Sequence, residues 1–218
     1  MNEGIAEIPG RFRGAVFDLD GTLIDSEPAW EKAKRIVAAR RGRPISDAQI
    51  AASVGCSMDR LVADVFAPAA ARAIEDEIFA LGEEWLDRLR QPIPGATDFL
   101  RALRGLGLPI AICSSSREHL IRAALAQLGI GDAVGLVVSA DPLPRRKPDP
   151  LPYLVTAERM GLAPGDLIAF EDAPSGACSA KAAGLYTVAI GPEAMEPQMS
   201  FCDLHAQDYP ALCRLLGL

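Results

Sequence analysis

Short apolar runs recur along the chain, each bounded by turn residues: 14–19, 109–113, 136–139, 167–170 and 186–190. Runs of that length, without polar alternation, are the pattern of strands buried on both faces, as in a parallel sheet. Between them the period changes. Leu120, Ile121, Ala124, Leu125 and Leu128 share one helical face, and Leu151, Leu154, Val155 and Met160 form a second stripe. Asp149 before Pro150 predicts a helix start with Asp149 as its cap, and Ser115 with Glu118 predicts a capping box. Gly184, after an alanine-rich stretch, predicts a helix stop. Strand–helix alternation of this kind predicts an α/β fold, a Rossmann-like parallel sheet with helices on both faces.

One block breaks the alternation. Residues 27–91 carry helical stripes and no strand pattern: Trp30, Ala33 and Val37; Leu61, Val62, Val65 and Phe66; then Ile74, Ile78, Leu81, Trp85 and Leu89. The block ends at Pro92-Ile93-Pro94-Gly95, which reads as a hinge. The expected organisation is therefore a core of residues 1–26 and 92–218 with an all-helical insertion, 27–91, at the carboxyl end of the first strand. Open α/β sheets bind ligands at that end.

Composition narrows the function classes. The 218 residues are 50% hydrophobic and 23% charged, enough to build a packed core. A net charge of −7 without a long basic run argues against nucleic acid and anionic membrane as partners. No apolar run approaches the roughly 20 residues a bilayer span needs, and the first ten residues do not have the basic-then-apolar order of an export signal. Five widely spaced cysteines, with no CxxC pair, fit reduced buried thiols and a cytoplasmic location. With only His119 and His205 present, a histidine-based zinc site or a Ser-His-Asp triad is not expected.

The candidate chemistry lies at strand ends. Asp18 and Asp20 alternate in an extended segment and so face one way, an arrangement that asks for a cation or a proton between them. Oxygen donors with few histidines favour Mg²⁺. Ser114, Ser115 and Ser116 stand where a strand gives way to a helix, a place suited to anion binding by Ser114 and Ser115. Arg145-Arg146-Lys147 is a compact basic cluster, and the prolines after Lys147 restrict where its ammonium points. Glu171-Asp172 follows a fourth apolar run and offers further ligands to a metal begun at Asp18 and Asp20. An acidic metal cage, a hydroxyl cradle and one lysine at the same sheet edge suit a phosphate ester.

FDLDGTLIDSEP, the strand-end Ser114, RKPDP and EDAPSG…AAGL together resemble the haloacid dehalogenase superfamily, in the branch with a helical cap inserted after the first motif. The resemblance implies that Asp18 is the nucleophile and forms an aspartyl-phosphate, and that Asp20 protonates the leaving alcohol and then activates water. It implies Mg²⁺ on the Asp18 carboxylate, the Asp20 carbonyl and Asp172, with Glu171 nearby, and phosphoryl oxygens on Ser114 and Lys147. The expected activity is that of a phosphatase of small phosphorylated metabolites, of the sugar or polyol phosphate class, acting as a monomer or weak homo-oligomer. The alternatives are a β-phosphoglucomutase-like isomerase and a catalytically idle binding protein. Trp30 and Met58 stand where the mutase carries histidine and arginine, which weakens the first alternative, and Ala173 replaces a usual serine. Glu27, Trp30, Gly55 and Met58 are the positions expected to set specificity.

Overall fold

The computed structural model describes residues 10–53 and 71–218. The expected stripe of Leu61, Val62, Val65 and Phe66 and the positions Gly55, Cys56 and Met58 lie outside the described residues. The chain divides into two compact units, residues 1–24 with 92–218 and residues 25–91.

The first unit is built on a six-stranded parallel sheet of order β5-β4-β1-β6-β7-β8. Its strands are β1 (Gly14–Phe17), β4 (Ile110–Ser114), β5 (Leu136–Ser139), β6 (Leu167–Glu171), β7 (Tyr186–Ile190) and β8 (Leu204–Ala206). β2 (Ile24–Asp25) and β3 (Gln91–Pro92) pair separately, where the chain leaves and re-enters this unit. β8 has no counterpart in the hydropathy pattern, because three residues with a central histidine are too short to show a period.

Alternation sorts the strand residues onto two faces, although nearly all are apolar. Phe17, Ile112, Ile168 and Phe170 enter one core, and Val16, Ala111, Cys113 and Ala169 enter the other. Phe17 stacks on Phe170 with ring centres 4.5 Å apart, and Phe99 meets Phe170 edge-on at 5.1 Å. Each such ring stabilises the fold by about 1.5–3 kcal/mol through burial alone.

The helices on this sheet are α4 (Ala96–Gly105), α5 (Glu118–Leu128), α6 (Leu151–Met160), α7 (Pro174–Ala182) and α8 (Tyr209–Leu216). Three local expectations are corrected. α5 starts after Arg117 with no side-chain cap, and Glu118 pairs with Arg122 rather than closing a box with Ser115. In α6 the buried face is Pro152, Tyr153, Thr156 and Ala157, while Leu154 is 41% exposed. The leucine stripe misses this face because the burial of Tyr153 is supported by a hydrogen bond to Glu171, and Thr156 satisfies its hydroxyl on the Pro152 carbonyl at 2.8 Å. The start of α6 also lies one residue later than expected: Pro150, not Asp149, is the N-cap residue, and Asp149 accepts the Leu151 N–H from the position before it at 2.9 Å.

The second unit contains α1 (Glu27–Arg40), α2 (Asp47–Ser53) and α3 (Ala71–Leu89). Ala33, Val37, Ile74 and Ile78 are buried together. Trp30 meets Phe79 edge-on, with ring centres 5.7 Å apart. Among the described residues no helix is long and apolar enough to cross a membrane.

Candidate active site

The site is assembled at the carboxyl ends of β1, β4 and β6. β1 stops at Phe17, and the Asp18 N–H still donates to the Phe170 carbonyl at 3.0 Å, so Asp18 is held in line with the sheet. The chain then turns tightly: Leu23 N–H bonds to Leu19 O at 2.8 Å, and Gly21 N–H to Ile24 O at 2.8 Å. Gly21 has φ +81°, and a Cβ there would lie 2.0 Å from Asp172 Oδ2. Glycine is therefore required both by the backbone and by the carboxylate beside it. Thr22 donates to Asp172 Oδ1 at 3.1 Å, and the buried Tyr209 hydroxyl donates to the Thr22 carbonyl at 3.0 Å.

Lys147 reaches this turn from the β5–α6 connection. Its Nζ donates to Asp18 Oδ1 at 2.6 Å, to Glu171 Oε1 at 2.7 Å and to the Cys113 carbonyl at 2.9 Å. All three ammonium protons thus have acceptors. Arg145 and Arg146, by contrast, pair with Asp149 and Asp141 at the surface. Glu171 also accepts a short hydrogen bond from the Tyr153 hydroxyl. Its carboxylate lies against the first turn of α7, where a Cβ on Gly176 would stand 2.1 Å from Oε2.

Asp18, Asp20, Ser114, Ser115, Lys147, Glu171 and Asp172 all line one cavity of about 170 Å³, with Ser175 and Gly176 from α7. Ser114 is buried and its Oγ accepts the Ser116 N–H at 3.0 Å; Ser115 is exposed at the rim. Ser116 has no site role in the sequence pattern beside Ser114 and Ser115, yet its hydroxyl donates to Asp20 Oδ2 at 2.7 Å. Tyr153 and Gly176 likewise join the site without a sequence signal of their own. The regular two-residue spacing of Ser114 and Ser116 was the one available signal for Ser116; the partner of Tyr153 is 18 positions away and leaves none.

Burial raises Asp18 well above the usual carboxylate range; Lys147 opposes the shift, while Glu171 and Asp172 add to it. Burial, then the charge of Glu171, pushes Asp172 up to about 7, against the hydrogen bond from Thr22. Burial acts to lower Lys147, but the Asp18 and Glu171 carboxylates outweigh it and raise the ammonium well above the lysine range. Oxygen atoms of Asp18, Glu171 and Asp172 lie within 4.8 Å of one another. Three clustered carboxylates facing one ammonium leave excess negative charge, and hard oxygen donors of this kind fit a divalent cation such as Mg²⁺.

A profile of the haloacid dehalogenase-like hydrolases matches residues 12–184, and the chain belongs to that family. Hexitol phosphatase B of Escherichia coli K12 is 29% identical over 205 residues, covering 90% of this chain and 92% of its own. A phosphoglycolate phosphatase of Neisseria meningitidis serogroup A is 30% identical over 199 residues, covering 87% of this chain and 83% of its own. The solved haloacid dehalogenase-like protein of Streptococcus pneumoniae matches with a TM-score of 0.84 at 19% identity, over 94% of this chain and 98% of that one. At that identity the likeness speaks for the fold alone.

Proposed function

We propose that this hydrolase is a Mg²⁺-dependent cytoplasmic phosphatase of small phosphate monoesters, of the sugar or polyol phosphate class. The observation that carries the reading is Lys147 bonded at once to Asp18 and Glu171, beside Asp172, in a cavity of a size suited to a phosphoryl group. The phosphatase names of the two curated relatives support the same reaction class. The free thiols Cys113, Cys178, Cys202 and Cys213 suit a reducing compartment.

In this reading an Asp18 carboxylate oxygen attacks phosphorus and the bond to the ester oxygen breaks. Asp20 gives its proton to the departing alkoxide, leaving an aspartyl-phosphate on Asp18. Water then attacks phosphorus, Asp20 takes a proton from it, and the Asp18 oxygen–phosphorus bond breaks to release phosphate. Lys147 holds the carboxylate and neutralises charge where three phosphoryl oxygens gather. Ser114 and Ser115 offer hydroxyl protons to those oxygens. Mg²⁺, held by Asp18 and Asp172 with Glu171 beside them and the Asp20 carbonyl as a further donor, would supply positive charge against the approach of two anions. Choice of the alcohol is assigned, in this reading, to the inserted unit of residues 25–91.

A phosphate-release screen over sugar, polyol and acid phosphates, with Mg²⁺ or with EDTA, tests the reading. Release from at least one class with Mg²⁺, lost in EDTA, is expected. Glucose 6-phosphate forming from β-glucose 1-phosphate and catalytic glucose 1,6-bisphosphate faster than free phosphate would replace it with the isomerase reading. No release from any ester would replace it with a binding role.

A further inference from the structure

The turn after β4 is held at more points than an anion cradle needs. The Ser116 N–H donates to Ser114 Oγ at 3.0 Å, and its carbonyl accepts from Ser139 Oγ at 2.7 Å. Its own hydroxyl donates to Asp20 Oδ2 at 2.7 Å. Ser139 is itself fixed: it ends β5 in register with Ser114, and its Oγ accepts the Asp141 N–H at 3.2 Å. The adjacent Ala140 N–H donates to the Ser114 carbonyl at 2.8 Å, closing the ladder around the turn. With its N–H and its carbonyl both tied, the Ser116 backbone sets where the hydroxyl points. A hydroxyl donating to a carboxylate at this distance is among the stronger hydrogen bonds. It joins the ends of β4 and β5 to a carboxylate that belongs to the β1 turn.

We propose that Ser116 is a positioning residue for Asp20, anchored by Ser139, and that the pair aims the Asp20 carboxyl at the departing ester oxygen. The proposal rests on the phosphatase reading above and extends it to two side chains outside the phosphoryl cradle. Their contribution is orientation, and a misplacement of about 1 Å at such a group can cost about a hundredfold in rate. It falls on leaving groups that need a proton. An alkyl alkoxide needs one; p-nitrophenolate departs almost without help.

The test compares kcat/KM, which covers the steps through loss of the alcohol, for a hexitol 6-phosphate and for p-nitrophenyl phosphate with saturating Mg²⁺. For Ser116→Ala a loss of about tenfold or more is expected with the hexitol ester, and of at most about threefold with the aryl ester. Ser116→Thr keeps the hydroxyl and is expected to restore the hexitol ester to within about threefold of wild type. Ser139→Ala is expected to show the same bias between esters, and it decides the matter if Ser116→Ala lacks a cooperative melt. Equal losses on the two esters, or a hexitol ester within about twofold of wild type, would overturn the proposal while wild-type activity leaves the phosphatase reading standing. Where the wild type does not turn over the hexitol ester, the alkyl ester hydrolysed in the screen above takes its place; a wild type inactive on every ester brings down both readings.

Discussion

Asp18 and Lys147 make a 2.6 Å ion pair although 129 positions separate them. Each could be picked out from the sequence because each adjoins a segment with a strong local signature: Asp18 follows an apolar strand, and Lys147 precedes a pair of prolines. Asp18→Asn is expected to abolish phosphate release, since a neutral amide is no nucleophile, while the circular dichroism spectrum stays native; retained turnover would mean that another residue attacks. Lys147→Ala is expected to lower kcat/KM by at least about two powers of ten, or roughly 2.7 kcal/mol. The same variant leaves Asp18 and Glu171 facing each other without the ammonium, so its melting temperature in EDTA is expected to fall further than in Mg²⁺. Tyr153 and Ser116 carried no comparable signal. A tyrosine inside a helical stripe and the third serine of a run look like packing and turn chemistry until their partners arrive from other strands.

At the scale of elements, the strands were the most legible part of the fold. β1, β4, β5, β6 and β7 fall on the apolar runs, because a strand buried on both faces writes itself as unbroken hydrophobicity. Helix phase was less legible. The α6 stripe ran through Leu151 and Leu154, but the helix turns Tyr153 and Ala157 inward. A hydrogen bond to a buried carboxylate and the small Ala157 against the sheet outweigh an exposed leucine. The α7 start shows a further element-level constraint, since the Glu171 carboxylate occupies the space a side chain at 176 would need. Gly176→Ala is therefore expected to push Glu171 off its contacts with Lys147 and Tyr153. Thermal unfolding is expected to fall by about 1–3 kcal/mol, the range for overpacking a filled site, with a parallel loss of kcat. An unchanged melt and rate would mean that Glu171 has room to move without consequence.

For the whole molecule, the clustered carboxylates link folding to pH. The folded pKa of Asp172, about 7, lies above its ordinary value of 3.8, so the folded state favours the protonated form. That stabilisation is complete below about pH 4 and is lost as the pH rises through about 7; the raised Asp18 acts with the same sign. In EDTA the wild type is expected to lose more melting temperature than Asp172→Asn between pH 5 and pH 8. Mg²⁺ is expected to raise the melting temperature more at pH 8, where the carboxylates are ionised, than at pH 5. Scanning fluorimetry at the two pH values checks both, and a wild type that gains stability relative to Asp172→Asn on going to pH 8 in EDTA would contradict the burial of these acids together. The β2–β3 pairing has a different consequence. The outgoing and returning strands run side by side, about 5 Å apart, so the whole of 25–91 is tethered like one long loop. Loop length costs little, about 0.6 kcal/mol per doubling. Any foreign module whose two ends emerge as neighbours could be spliced in at Ile24 and Pro92 with the pairings of the six-stranded sheet left as they are.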